Sequence, residues 1–176
     1  MGSLEARLPQ SLLEGLEGAA RRRGLSLVEY LASLASEDLE PQERARFYAR
    51  VALELLDRAR VEVDAGKPCA AAEIVWAAAS LAVRAYAEVF DGRRLDSRVE
   101  LDRYAAELAR SLGEWIREAW MSVSDMPTYF YEGWCVGERV EQACRYARRL
   151  VEELAGRVLG GDHAGRGAKL RVSREE

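Results

Sequence analysis

One short stretch, TYFYEGW at residues 128–134, holds the side chains of this sequence that are best suited to contacting a ligand. Its aromatic rings could stack on nucleic acid bases, a contact worth about 1–3 kcal/mol per base. The same rings could instead close the end of a helical core, where burial contributes about 1.5–3 kcal/mol for each. We expect the core role and keep ligand binding as the alternative for Tyr129, Phe130, Tyr131 and Trp134.

Within this stretch, Glu132 is the best candidate in the chain for a general acid or base, because neighbouring rings would strip water from its carboxylate. An ion pair with Arg139 or Arg98 would instead make it a structural tie. We favour the tie, since no nucleophile or second acid is evident nearby. If the stretch does bind a ligand, the expected contacts are Tyr129, Tyr131, Glu132, Trp134 and Arg139.

Other chemically active residue types are scarce. The single histidine, His163, lies in a glycine-rich tail, and the cysteines Cys69, Cys135 and Cys144 show no metal-binding spacing. We therefore expect no metal and no cofactor, and we favour a non-enzymatic role. The odd number of cysteines also argues against a disulfide framework and for a reducing, cytoplasmic setting, with Cys135 and Cys144 as small core residues.

Charge and hydropathy narrow the class of partner. The net charge of −4 gives no global basic footprint for nucleic acid. The longest uncharged stretch, residues 74–83, is too short to span a bilayer, and the N-terminus lacks the pattern of a signal peptide. We expect no membrane association. The run RRR at residues 21–23 is expected to complement a helix C-terminus.

Hydrophobic periodicity predicts an all-α fold. Leu4 to Leu8 alternates apolar and charged residues, which predicts a short strand, and two helices follow, the second opened by a capping box of Ser26 and Glu29. Helices beginning at Pro41 and Pro68 are expected to form an antiparallel hairpin. A second capping box, Ser97 with Glu100, opens a helix that runs to residue 119, with Gly113 as a weak point.

The rest of the chain is less regular. After Met121 the helical pattern is lost over residues 122–138. A last long helix covers residues 140–154, and a weak signal indicates a short strand at residues 169–172. This organisation suggests an arm at residues 1–39, a four-helix bundle at 40–156 and a flexible basic tail at 157–176.

Two segments resemble a known family. The hairpin LELLDRARVEVDAGKPCAAAEIVWAAASLAVRAYAEV and the junction TYFYEGW followed by VEQACRYARRLVEEL are similar to the archaeal PaREP family, which is placed in the HEPN superfamily. The resemblance covers residues 41–154. It implies an up-and-down bundle of four main helices, with the aromatic junction before the last one.

The N-terminal segment resembles a ribbon-helix-helix module, with a short strand, LP, a helix, the RRGLS turn and a second helix. Such modules pair their strands across a two-fold axis, which implies a homodimer. The strand residues that would face DNA are Glu5 and Arg7. Because phosphate repels an acid there, DNA binding through Arg7 is the less favoured expectation.

HEPN ribonucleases resemble one another in an arginine followed by a nearby histidine, whereas this chain has Pro127 and Tyr129 where relatives place histidine. We therefore expect a non-catalytic, homodimeric binding or scaffolding protein that takes a nucleotide, RNA or a partner protein near the aromatic junction. Two alternatives stay open. One is a transcription regulator that uses the ribbon arm on DNA, and the other is a divergent HEPN enzyme that processes nucleotides or RNA.

Overall fold

The structure is a computed structural model, and it describes residues 7–161. This range contains eight helices and no strand, which confirms the all-α fold. In chain order the helices are α1 (Gln10–Arg22), α2 (Leu27–Ala35), α3 (Pro41–Asp64), α4 (Pro68–Asp91), α5 (Arg98–Leu112), α6 (Trp115–Ser124), α7 (Met126–Glu132) and α8 (Gly137–Gly160).

The central element is α4, which packs against α3, α5, α6, α7, α8 and α2. Proline stands in the first turn of both α3 and α4, where its missing N–H costs nothing. Gly66 adopts a left-handed conformation in the short connection, and the two helices form the predicted hairpin. Alanines dominate the buried face of α4, which allows its neighbours to approach closely.

By length and composition, α4 is also the one helix in the described residues that could cross a membrane, contrary to the expectation from the uncharged stretch alone. Its most apolar window is 78% buried inside the fold. The core helix of a globular bundle has the same properties.

The helices between residues 98 and 132 differ from those predicted. The helix expected from Ser97 to residue 119 is divided at Gly113, where φ is 115° and a side chain would meet the ring of Trp115. The stretch expected to be irregular is instead mostly helical, since α6 continues to Ser124 and α7 runs to Glu132. Proline in the first turn of α7 starts this short helix, and Gly133 ends it with φ of 73°. Both predicted capping boxes are present, at Ser26 with Glu29 and at Ser97 with Glu100.

The arm, defined here as α1 and α2, is attached to the bundle through Glu29. This carboxylate is buried and accepts hydrogen bonds from the Trp76 indole and the Ser80 hydroxyl at 2.8 Å each and from Arg84 at 2.7 Å. Of the predicted strand, only Arg7 and Leu8 lie in the described range, and neither is in a strand. Glu5, His163, the tail beyond Gly161 and the conceivable strand at residues 169–172 lie outside it.

The expectation of unpaired cysteines is wrong. Cys69, in the first turn of α4, forms a disulfide with Cys135, in the loop between α7 and α8. The two are 66 residues apart in sequence, and their spacing gave no sign that the fold would bring their Cα atoms to 5.2 Å. Cys144 is the free thiol. The argument from cysteine count for a cytoplasmic setting therefore fails, and that localisation stays a prediction.

Candidate functional site

The aromatic junction is built on α7 and the loop that follows it. Helix α7 packs against α4, with Met126 and Pro127 buried, and the disulfide of Cys135 fastens the loop to the start of α4. The junction is therefore held at both ends by the core helix. Its rings form two pairs: Tyr129 stacks on Trp134 with centroids 5.9 Å apart, and Phe130 tilts against Tyr131 at 4.4 Å.

The expected core role applies to only half of the cluster. Tyr129 and Phe130 are partly buried and pack against the core. Tyr131 and Trp134 remain 52% and 59% exposed, so they do not close the bundle. The short helix α7, of about two turns, explains the difference, because it turns successive rings to different sides of the junction.

The predicted tie of Glu132 is also wrong. Glu132 is exposed, and its carboxylate accepts a hydrogen bond from the Trp134 indole N–H rather than pairing with an arginine. Arg139 is exposed and takes part in none of the ion pairs formed within residues 7–161. Arg98 instead donates to the carbonyl oxygen of Ser124 and lies 4.0 Å from Asp102.

The exposed ring of Tyr131 lines a cavity of about 350 Å³ between the arm and the bundle, called here the arm-side cavity. Its wall comes from the α1–α2 turn, from α4, from the start of α5 and from α7. Its polar and aromatic lining residues are Arg21, Ser26, Trp76, Arg98, Phe130 and Tyr131. A second space of about 170 Å³ adjoins it, shares Arg21, Phe130 and Tyr131, and adds Glu17 and Glu73.

Two arginines and three rings are arranged around the arm-side cavity. The guanidinium of Arg98 lies 4.9 Å from the centre of the Trp76 ring, within the range of a cation–π contact. The Tyr131 hydroxyl donates to the Leu25 carbonyl oxygen at 3.3 Å, which connects α7 to the arm across the cavity. The cavity therefore combines flat apolar faces with positive charge.

Burial and nearby carboxylates shift the pKa values of two residues around the arm-side cavity, Tyr131 and Glu73. Partial burial raises the pKa of Tyr131, and the charges of Glu29 and Glu73 raise it further, so the phenol keeps its proton at neutral pH. Burial also raises the pKa of Glu73, with a smaller opposing effect from the Leu27 backbone N–H. Glu73 is thus an acid of this region whose pKa burial raises.

The five predicted ligand contacts do not converge. Tyr131 faces the arm-side cavity, whereas Tyr129 and Arg139 line a separate cavity of about 240 Å³ with Asp125 on the far side of α7. Glu132 and Trp134 line neither. Arg7, the predicted nucleic acid contact, is exposed at the start of the described range, and its role stays a prediction.

Sequence reasoning missed Arg21, Trp76, Arg98 and Glu73 as members of one site. A signal existed for Glu73, a lone acid in the otherwise apolar run CAAAEIVW. Nothing local indicated the others, since Arg21, Trp76 and Arg98 come from three separate helices. Among residues 7–161 no group of three or more His, Cys, Asp or Glu side chains is arranged to hold a metal ion.

Comparison with known proteins gives one match. The model of the Archaeal PaREP1/PaREP8 family matches residues 47–151, which include most of the bundle and the whole aromatic junction. No curated protein and no solved structure matches the chain.

Proposed function

This chain belongs to the archaeal PaREP1/PaREP8 family, and from that premise we propose that it is a non-catalytic binding protein of HEPN type whose arm-side cavity takes a nucleotide. The observation that carries the proposal is the meeting of Arg21 and Arg98 with the rings of Trp76, Phe130 and Tyr131 around one cavity. The nucleotide would be free or part of a single-stranded RNA, because both present the same base and phosphate.

The dimensions suit such a ligand. Small-molecule sites occupy about 300–1,000 Å³, and the arm-side cavity lies at the lower end of this range. An exposed Tyr131 face can stack on a base without selecting among bases. Arg21 and Arg98 can each offer a planar, multiply donating guanidinium to phosphate oxygens. A protein partner would need a broader surface than this cavity offers.

Binding without catalysis is supported by what lines the cavity. Pro127 stands in its wall, and a proline side chain can neither accept nor donate a proton. The sequence has a single histidine, His163, and it lies outside residues 47–151, the part of the chain that matches the family. The arm-side cavity thus offers contacts for a nucleotide, and its own lining includes no histidine or carboxylate, since Glu73 lines the adjoining space.

A homodimer through the arm belongs to the same proposal. Leu8, Leu12, Leu31 and Leu34 are between 39% and 48% exposed, and all four belong to the arm or the residues just before it. Apolar surface gathered on one segment is typical of an interaction face. A second copy of the arm would cover these leucines, as the ribbon-helix-helix resemblance implies.

Thermal unfolding with a panel of ribonucleotides and a short single-stranded RNA tests the binding proposal. A nucleotide present at about 100 times its dissociation constant should stabilise the fold by about 2.7 kcal/mol, seen as a higher Tm. If only the RNA shifts the Tm, the ligand is the strand; if mononucleotides suffice, it is the free nucleotide.

Two variants locate the site. Tyr131→Ala should weaken binding by about 1–3 kcal/mol through the lost stacking face. Trp134→Ala removes a ring of comparable exposure that lies outside the cavity, and it should leave affinity unchanged. No Tm shift with any nucleotide or RNA, or equal losses in both variants, would refute the proposal. RNA degradation by the purified protein would refute its non-catalytic part.

A further inference from the structure

A second candidate site lies between α3 and α8, and it shares no lining residue with the arm-side cavity. The two helices leave a groove of about 540 Å³, larger than the arm-side cavity. Its lining includes none of the residues discussed above except Cys144. This groove is independent of the nucleotide proposal.

The floor of the groove is aliphatic. Leu56, Ala59 and Val63 follow one another at helical spacing along α3, and Val75 of α4 lies beneath them. Leu56, Ala59 and Val75 are buried, and Val63 is half-buried. The small side chain of Ala59 leaves depth between its larger neighbours. No aromatic ring lines the groove, which separates it chemically from the arm-side cavity.

The rim of the groove is lined by charged side chains of both signs. Arg60, Arg145 and Arg148 face two acids, Asp64 and Glu141. Arg60 lies 3.8 Å from Asp64, and Arg148 is engaged by Glu152 at 3.3 Å and by Asp57 at 3.9 Å. Arg145 takes part in none of the ion pairs formed within residues 7–161 and is exposed. The guanidinium of Arg145 is therefore available to bind an anionic ligand.

We propose that this groove binds a small amphipathic carboxylate, with an aliphatic body against Val63 and its buried neighbours and its carboxylate on Arg145. The volume lies within the range of small-molecule sites. The guanidinium of arginine can donate two parallel hydrogen bonds to a planar carboxylate. The ammonium of a lysine cannot form this pair of bonds, and an uncharged ligand would lack the charge that strengthens them. An aliphatic floor beneath a single unpaired arginine therefore selects an acid with an apolar chain.

Cys144 provides a reporter inside the groove. It is half-buried on α8, one residue before Arg145, and it is the free thiol of the chain because Cys69 and Cys135 are joined. Burial raises the pKa of its thiol, and Glu141 adds to the effect, so alkylation is slow and best followed at mildly alkaline pH. Because Val63 and Cys144 line the same groove, a ligand that fills the groove should shield this sulfur.

The experiment measures the alkylation rate of Cys144 by iodoacetamide in the full, oxidised chain, using mass spectrometry. Decanoate is the probe, kept below its micelle concentration, and decanol is its uncharged match. Decanoate should slow alkylation in a saturable manner, and decanol should do so at clearly higher concentration. Arg145→Gln should weaken the protection by decanoate about tenfold, because a hydrogen-bonded charge is lost.

Two further variants complete the design. Arg145→Lys keeps the charge without the planar fork and should retain part of the protection. Arg103→Gln removes an arginine on α5, outside the groove, and should behave as the unaltered protein. The proposal is overturned if decanoate gives no protection, if decanol protects equally, or if Arg145→Gln changes nothing. Protection that rises with protein concentration in the absence of probe would assign the groove to a second copy and also overturn it.

Discussion

Oε1 of Glu29 lies 2.7 Å from Nη1 of Arg84, and this ion pair attaches the arm to the bundle. The two side chains are 1% and 11% exposed. The carboxylate also closes the capping box of α2 with Ser26 and accepts from Trp76 and Ser80. One acid thus starts a helix and fixes that helix to the core.

Replacing Glu29 by Gln should lower the free energy of unfolding by about 3–5 kcal/mol, because it leaves Arg84 buried without its counter-charge. Chemical denaturation of the two proteins measures the difference. Arg93 and Glu107 offer a matched control, since their ion pair has the same 2.7 Å separation but side chains that are 43% and 48% exposed. Glu107→Gln should cost no more than about 1 kcal/mol. Equal losses in the two variants would contradict the structural role given to burial here.

The disulfide should stabilise the chain by restricting its unfolded state. For a loop closed over 66 residues the expected contribution is about 4 kcal/mol. Cys135→Ser should therefore lower the midpoint of unfolding in oxidising buffer and should match the unaltered protein once a reductant is added. Cys144→Ser leaves the disulfide in place and should keep the sensitivity to reductant. A Cys135→Ser protein as stable as the oxidised parent would show that the disulfide does not form.

Glu73 should make stability depend on pH. Its pKa is raised in the folded state, so the native protein holds this proton more tightly than the unfolded chain does. The stability that the protonated Glu73 contributes is fully present when the pH is below 4.5, the ordinary pKa of a glutamate. It is lost as the pH rises through the raised pKa that Glu73 has in the folded protein. Glu73→Gln should therefore have a higher Tm than the parent at neutral pH, and the difference should vanish below pH 4.5. A difference that does not change with pH would rule out titration of Glu73 as its cause.

The arm should hold two copies together. Leu34→Glu places a charge on the exposed apolar face of α2, where Leu31 lies one turn away, and should convert the dimer into a monomer. Sedimentation or light scattering across a concentration series measures the mass. Leu159→Glu is the control, because Leu159 has nearly the same exposure at the end of α8. A parent protein that is monomeric at every concentration would remove the dimer proposal.

Local rules predicted much of the fold. Apolar spacing gave the hairpin of α3 and α4 and the last long helix, and the pairs Ser26–Glu29 and Ser97–Glu100 gave two helix starts correctly. These features depend on residues a few positions apart, so the sequence shows them directly. The prediction of an irregular stretch failed after Met121, because α6 continues to Ser124 and α7 forms a short helix that packs on α4.

The candidate site could not be predicted in the same way. The sequence placed Tyr129 and Tyr131 together because they are two residues apart. In α7, however, two positions correspond to a rotation of about 200°, and the two rings line different cavities. Conversely, Arg21, Trp76 and Arg98 come from three helices and meet only after those helices pack.

The sequence by itself determined that this chain is helical, where most of its helices begin, and that few residues could do acid–base chemistry. The tertiary structure decided which residues share a surface: it joined Cys69 to Cys135, buried Glu29 between the arm and α4, and left Tyr131 exposed. Helix formation follows from neighbours along the chain, whereas a site depends on the relative placement of helices, which side-chain packing sets across distant parts of the sequence.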